Sequence, residues 1–600
     1  TATICRTALV VISLGLFLVS AAVGQTPAPV PTATPLVNPT PTPFTNPTPL
    51  PGSSPGQVVV PSSVNSNLPA EPPPVAPNFR ANVGPLPSGE RVGVDAANQL
   101  SLTIEDAVGM ALENNRNVEI ARNNREINVY NLKAFRGVYD PLLAGQSYFE
   151  SVTTPTASAI GGAVNGAVTQ RRFFGTSSLS GLSPIGGGSY SANFDSSRTT
   201  TSNTNSFLNP QYPSVLTFNY TQPLLRNRSI DQNRRQIEIA KRNVDLTDSQ
   251  FRAQAITTVY QVEQAYWNLV FALRTLQVQL DAVKQAQAQL ESNERQVRQG
   301  VQAPIDVVAT TSQIATFQQN AFVAQQAVTT AENQLKTLIL GNRSSAEWGR
   351  PIMPISPVDQ QAPPVSLETA TAEALKNRPE LEQIDINREI NKVDERYFRN
   401  QTKPQVDLFA TYSSQGLAGT TTERSIDPLT GQSRVPANLS GNYLTSLANL
   451  FGINYPTYRA GVTISLPLGN RTAKANLGRT LVEGERLGNQ RAQQEIAIEA
   501  DVRDALEAVR STQLRLATAV AARESYEQLY ESEQRQFRAG TTTLYLVLQR
   551  QTDLITARGR ELFAQTDLNK AISDLNRALG RTLVENEIVV KPGAQIDSLK

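Results

Sequence analysis

Two segments of this 600-residue chain set charged side chains around a glycine at one shared spacing. In RQVRQGVQAPIDVV, residues 295–308, Arg295 and Arg298 precede Gly300 and Asp306 follows it; in RQFRAGTTTLYLVL, residues 535–548, Arg535 and Arg538 precede Gly540. The chemistry open to such groups is ion pairing and helix capping rather than bond making. The chain holds no histidine, one cysteine (Cys5) and two methionines (Met110 and Met353), which removes the commonest general base and the soft-metal ligands. Carboxylate-only catalysis needs two acids set apart from the rest, and no such pair stands out among the acids of the helix surfaces. No enzyme, metal or cofactor is expected. A net charge of +2 supplies no basic footprint, so nucleic acid is not expected as a partner.

The elements that position these two segments are duplicated. LTIEDAVGMALENNRNVEIARNNREIN, from Leu102, aligns without gaps with VSLETATAEALKNRPELEQIDINREIN, from Val365, and both copies end in REIN. Helical spacing predicts an opening helix of about 35 residues in each copy, roughly 103–137 and 366–400. The period then changes to two. Tyr458, Ala460, Val462, Ile464 and Leu466 alternate with polar or small residues, as do Leu216, Phe218 and Tyr220. Strands are predicted at about 142–150 and 214–224 in the first copy, and at about 405–412 and 457–468 in the second. The insertions between them, 151–213 and 413–456, are rich in Ser, Thr, Gly and Asn and read as exposed loops.

Long helices follow, about 229–299 and 471–539, each roughly 105 Å at 1.5 Å per residue. Val259, Val262, Tyr266, Leu269, Leu273 and Leu276 step by threes and fours, the mark of a coiled-coil seam; in the second copy Arg523 interrupts the seam. Each long helix ends at a charged glycine segment, where glycine accepts the left-handed conformation of a helix terminus. A return helix of about 37 residues follows, closed by Gly341 or Gly580, and is expected to stack end to end with the next opening helix against a long one.

The chain thus divides into residues 1–24, 25–100, 101–341, 342–364, 365–581 and 582–600. The first reads as a secretory signal peptide, with an apolar run behind Arg6 and small residues up to Gly24. The second, crowded with proline, reads as a flexible linker. Then come the first repeat, a connector, the second repeat and a tail. Four short alternating strands cannot close a barrel, and lipid does not tolerate open edges, so several chains must pool their strands. Export, pooled strands and helices reaching about 100 Å away imply an outer-membrane pore with a helical extension.

The duplicated order of SLTIEDAVGMALENN and VSLETATAEALKNR, then QPLL and LPLG, then VRQGVQAPIDVV and FRAGTTTLYLVL, resembles the TolC family of outer-membrane efflux proteins over about residues 100–582. The resemblance implies a mainly α fold with membrane β-strands. Three chains would close a twelve-stranded outer-membrane barrel continued by a long α-helical coiled-coil tunnel across the periplasm. The implied function is the passive exit duct of a multi-component efflux or type I secretion system. Its implied partners are two further copies of the chain, a periplasmic adaptor (membrane fusion) protein, an inner-membrane transporter and outer-membrane lipid. Gly300, Val301, Gly540 and Thr541 would be the turns at the periplasmic entrance and the adaptor contact. Members often carry an aspartate six residues after the turn glycine; here Asp306 fits, but the second repeat has Leu546 there and Gln549 three residues later. An acidic ring at the constriction is therefore in doubt, and Asp306, Arg298 and Arg538 become the candidate gate charges. A trimeric coiled-coil adhesin would keep its strands at one terminus, and an adaptor would carry a single helical hairpin. Strands interleaved with helices in both halves favour the channel.

Overall fold

The computed structural model describes residues 91–598 apart from 96, 157–158, 164 and 592–594. The expected signal peptide and most of the proline-rich segment lie outside these residues. In chain order the main elements are α1 (Ile104–Asn114), α2 (Arg116–Arg136), β1 (Leu142–Pro155), β2 (Ala167–Leu182), β3 (Ser189–Thr201), β4 (Ser214–Pro223), α3 (Gln232–Arg298) and α4 (Pro304–Ile339). The second repeat supplies α5 (Leu367–Asn377), α6 (Pro379–Gln401), β5 (Gln405–Gly416), α7 (Tyr443–Phe451), β6 (Tyr455–Ser465), α8 (Arg471–Arg538) and α9 (Leu544–Leu579).

The two long helices have 67 and 68 residues and the two return helices 36 each. The predicted seam of α3 is its buried stripe: Val259, Val262, Tyr266 and Leu269 are fully buried against residues of α1 and α4, including Ala107, Ala111, Leu335 and Ile339. Each such aliphatic side chain contributes about 1.5–3 kcal/mol of burial. The Tyr266 hydroxyl donates to Leu102 O at 3.0 Å and accepts the Ser356 N–H at 3.0 Å, which fixes the connector on the same seam.

Both opening helices are broken, where sequence spacing predicts one continuous helix. Asn115 is extended (φ −66°, ψ 126°) and its side chain accepts the Asn117 N–H at 2.9 Å, capping α2. Arg378 is extended (φ −71°, ψ 121°) because Pro379 excludes the helical region for the residue before it. The breaks let a return helix meet the opening pair end on. Asn115 Nδ2 donates to Leu338 O at 3.0 Å, and Arg116 Nε donates to Gly341 O at 2.7 Å. In the second repeat an Arg378 guanidinium N–H reaches Arg577 O at 3.4 Å. Each return helix therefore stacks on the opening pair of its own repeat, not the next one as expected. The reason is that both pieces pair with the same long helix: Arg125 bridges α2 to Asp248 of α3 at 2.6 Å, and Arg378 joins Asp501 of α8 at 2.9 Å. Gly580 caps α9 in the left-handed region (φ 72°), whereas α4 ends on an extended Leu340 before Gly341 is reached.

The strands form one antiparallel meander in the order β6-β5-β4-β3-β2-β1. The first insertion, expected as an exposed loop, contains the two long strands β2 and β3. Its serines and threonines have regular cross-strand partners, for example Ser178 between Ala144 and Asn193. The twelve strands implied by the resemblance correspond to four per chain, whereas this sheet has six in its meander and two short strands, Leu208–Gln211 and Gly419–Thr421, off that path. The fold class, mainly helical with membrane β-strands, is otherwise as the sequence implies.

Candidate functional site

The turns at 299–303 and 539–543 are two copies of one backbone device. Gly300 N–H donates to Val297 O and Val301 N–H to Gln296 O, both at 3.0 Å; Gly540 N–H donates to Phe537 O and Thr541 N–H to Gln536 O, again both at 3.0 Å. Gly300 has φ 72° and Gly540 φ 75°, so both are left-handed glycines closing Schellman motifs. Pro304 opens α4 at a position whose N–H has no helical acceptor, and the Thr541 hydroxyl adds a second bond to Gln536 O at 3.1 Å. Thr542 is further held by the Glu533 carboxylate.

Around these turns the tips present apolar and basic groups to solvent. Val301, Ile305 and Tyr545 are 75%, 58% and 72% exposed, respectively. Arg298 and Arg538 are exposed and make no ion pair among the described residues, and Asp306, half-buried in the first turn of α4, does not meet either of them within the chain. Leu546 is half-buried and Gln549 exposed. The structure thus brings the candidate gate groups to the tips without pairing them inside one chain.

Sequence reasoning missed two polar links close by. Buried Asn293 continues the α3 seam; its Nδ2 donates to Thr310 Oγ1 of α4 at 2.8 Å, and that hydroxyl donates to Asp306 O at 2.8 Å. On the other hairpin, Arg523 bonds Glu561 at 2.9 Å and Glu527 at 3.0 Å, and Arg558 bonds Glu527 at 2.8 Å. The signal for the second was visible as the seam interruption at Arg523. The two hairpins also touch each other near the tips, with Gln313 Nε2 donating to Thr552 Oγ1 at 3.0 Å and Ile555 packed in the cluster of Ile314 and Phe317.

At the other end, the meander has one apolar and one polar face. Phe218, Tyr412 and Tyr458 lie side by side on the apolar face, with ring centroids 6.3 and 5.2 Å apart. Asn219, Thr411 and Arg459 share a row on the opposite face. Such alternation, with an aromatic row outside, suits a membrane barrel wall. Among the described residues no helix is long and apolar enough to cross a membrane, and no cluster of side chains could hold a metal ion.

Solved structures share this architecture at low identity. The outer-membrane channel OprN is 16% identical with a TM-score of 0.55, covering 84% of this chain and 98% of its own. The Campylobacter jejuni CmeC outer membrane channel is 14% identical with a TM-score of 0.55, covering 80% and 86%. CusC is 15% identical with a TM-score of 0.57, covering 82% and 99%. At such identities the likeness establishes the fold. Comparison with curated protein sequences gives no significant match. Residues 189–341 and 370–581, more than half of the chain, match the family described as outer membrane efflux protein. The chain belongs to that family, as an outer-membrane channel and not an enzyme.

Proposed function

We propose that three copies of this chain form the passive exit duct of a multi-component efflux or type I secretion system. The observation that carries this reading is the pairing of a six-stranded meander, apolar on one face, with two helical hairpins whose matched Schellman turns lie about 100 Å away. A single chain leaves the edges of β1 and β6 without partners, and lipid does not tolerate open strand edges. Copies of the chain supply the missing partners, and the helices then line a tunnel through the periplasm.

The tips are the periplasmic entrance. Gly300, Val301, Gly540 and Thr541 form the surface offered to a periplasmic adaptor protein, which couples the duct to an inner-membrane transporter. Val301 and Tyr545 give that surface exposed apolar contact. Arg298, Arg538 and Asp306 are free to pair between neighbouring chains and hold the coils together, while Leu546 and Gln549 stand where an acidic constriction is found in some relatives. A heat-sensitive trimer in outer-membrane extracts tests the reading; recovery of the chain only as a soluble monomer rejects it.

A further inference from the structure

We infer that the barrel wall contains eighteen strands, because the β2–β3 hairpin is part of the wall rather than an external loop. The inference rests on the three-chain reading above and deepens it.

Three observations carry it. First, the hairpin is inserted between β1 and β4, so these two strands do not touch: β1 pairs with β2 over fourteen positions, β2 with β3 over thirteen, and β3 with β4 over eight. Removing the hairpin from the wall would break two of these ladders. Second, both faces of the sheet run through it. Phe194 stands between Ser177 and Leu216, and Ala192 between Leu179 and Phe218, on the apolar face; Asn193 stands between Ser178 and Thr217, and Ser191 between Ser180 and Asn219, on the polar one. β2 has 16 residues and β3 has 13, more than the roughly 9–11 that a tilted membrane strand needs.

Third, the turn of the hairpin is built into the helical end of the sheet. Gln222 Nε2 donates to Gly186 O at 2.8 Å. Gly187 (φ 71°) lies so close to the start of α3 that a β-carbon there would sit 2.6 Å from Asn227 O and 2.8 Å from Arg234 Nη2. A short turn seated on the periplasmic side, with longer connections at the other end, is the pattern of a membrane β-hairpin.

The open edges fit a second copy of the chain. β1 leaves the helical end and β6 returns to it, so β1 of one chain meets β6 of the next in antiparallel orientation. Six alternating strands per chain give an even total of eighteen in three chains, as closed antiparallel barrels require. Barrel diameter grows roughly linearly with strand number, so this wall is about 1.5 times as wide as a twelve-stranded one.

The test uses the full chain purified into lipid nanodiscs, with the number of chains and wall strands counted by electron cryomicroscopy. Three chains and eighteen strands are expected. Three chains with twelve wall strands and the hairpins outside overturn the inference and leave the exit-duct reading intact; a number of chains other than three overturns the trimer on which it rests. A second readout is labelling of Asn193→Cys and Phe194→Cys by a water-soluble maleimide. The first variant is expected to react and the second to be protected by lipid. Equal reaction of both, or of neither, contradicts a wall position.

Discussion

Arg523 Nε lies 2.9 Å from the Glu561 carboxylate, and the equivalent residues of the first repeat, 240 positions earlier, are the buried pair Val283 and Ala321. The same place between a long helix and its return helix is thus charged in one hairpin and apolar in the other. Arg523→Val alone removes the cation that faces Glu561, while Glu527 keeps Arg558, and is expected to lower thermal stability. The effect is small, about 1 kcal/mol per partly exposed pair. Arg523→Val with Glu561→Ala copies the first repeat and is expected to recover most of the loss. Melting curves of both variants decide it; a double variant no better than the single one rejects an exchangeable packing role.

Glu263 gives the helical body a pH dependence. Burial raises its carboxyl above the usual value, with hydrogen bonds from Asn586 and Ser573 partly opposing the shift. A raised carboxyl means that the folded state penalises the charged form. The penalty is absent below the unfolded value of about 4.3 and grows as pH rises through the folded one. Glu263→Gln is therefore expected to raise the melting temperature at pH 7.5 and to change little at pH 4. An equal shift at both pH values contradicts the assignment.

The turn glycines act through backbone conformation, since a β-carbon at either one meets nothing within 4 Å. Gly300→Ala and Gly540→Ala each place an L-residue in the left-handed region, at a cost of about 1–2 kcal/mol. Local opening is the expected result, read as faster trypsin cleavage after Arg298 or Arg538. Unchanged cleavage in both variants means that the turns tolerate the side chain.

Gln549 is exposed close to the second tip, in the repeat that lacks the aspartate found after the first turn. Gln549→Asp adds one carboxylate per chain, three in the proposed trimer. Cation permeability relative to anions is expected to rise, measured as a shift of reversal potential in a salt gradient. No shift places this face of α9 away from the conduction path.

Much of this architecture is legible in the residues. The alternation in Tyr458–Leu466 gives the β6 edge, the step from Val259 to Leu276 gives the α3 seam, and the paired glycines give the tips. The β2–β3 hairpin is hidden for a physical reason: its polar face carries Ser178, Ser180 and Asn193, and its apolar face includes small or polar Ser177 and Gly175, so the period of two fades. Asn115 conceals the first helix break because its side chain supplies the cap that a proline announces at Pro379. The tip charges are visible in sequence: Arg295 and Arg535 pair with Glu291 and Glu531 one turn earlier on their own helices, whereas Arg298, Arg538 and Asp306 make no ion pair among the described residues, so sequence spacing has no local partner to reveal.

The proposed duct has its entrance narrowed by Asp306 and Arg538 pairing between neighbouring chains, and single-channel recording in planar bilayers tests this most directly. The purified assembly is expected to show small conductance steps that increase when Asp306 or Arg538 is replaced by alanine, as the proposed pairing of these charges between neighbouring coils requires. Absence of channels from the purified assembly, or identical conductance in wild type and both variants, contradicts an entrance held by these charges.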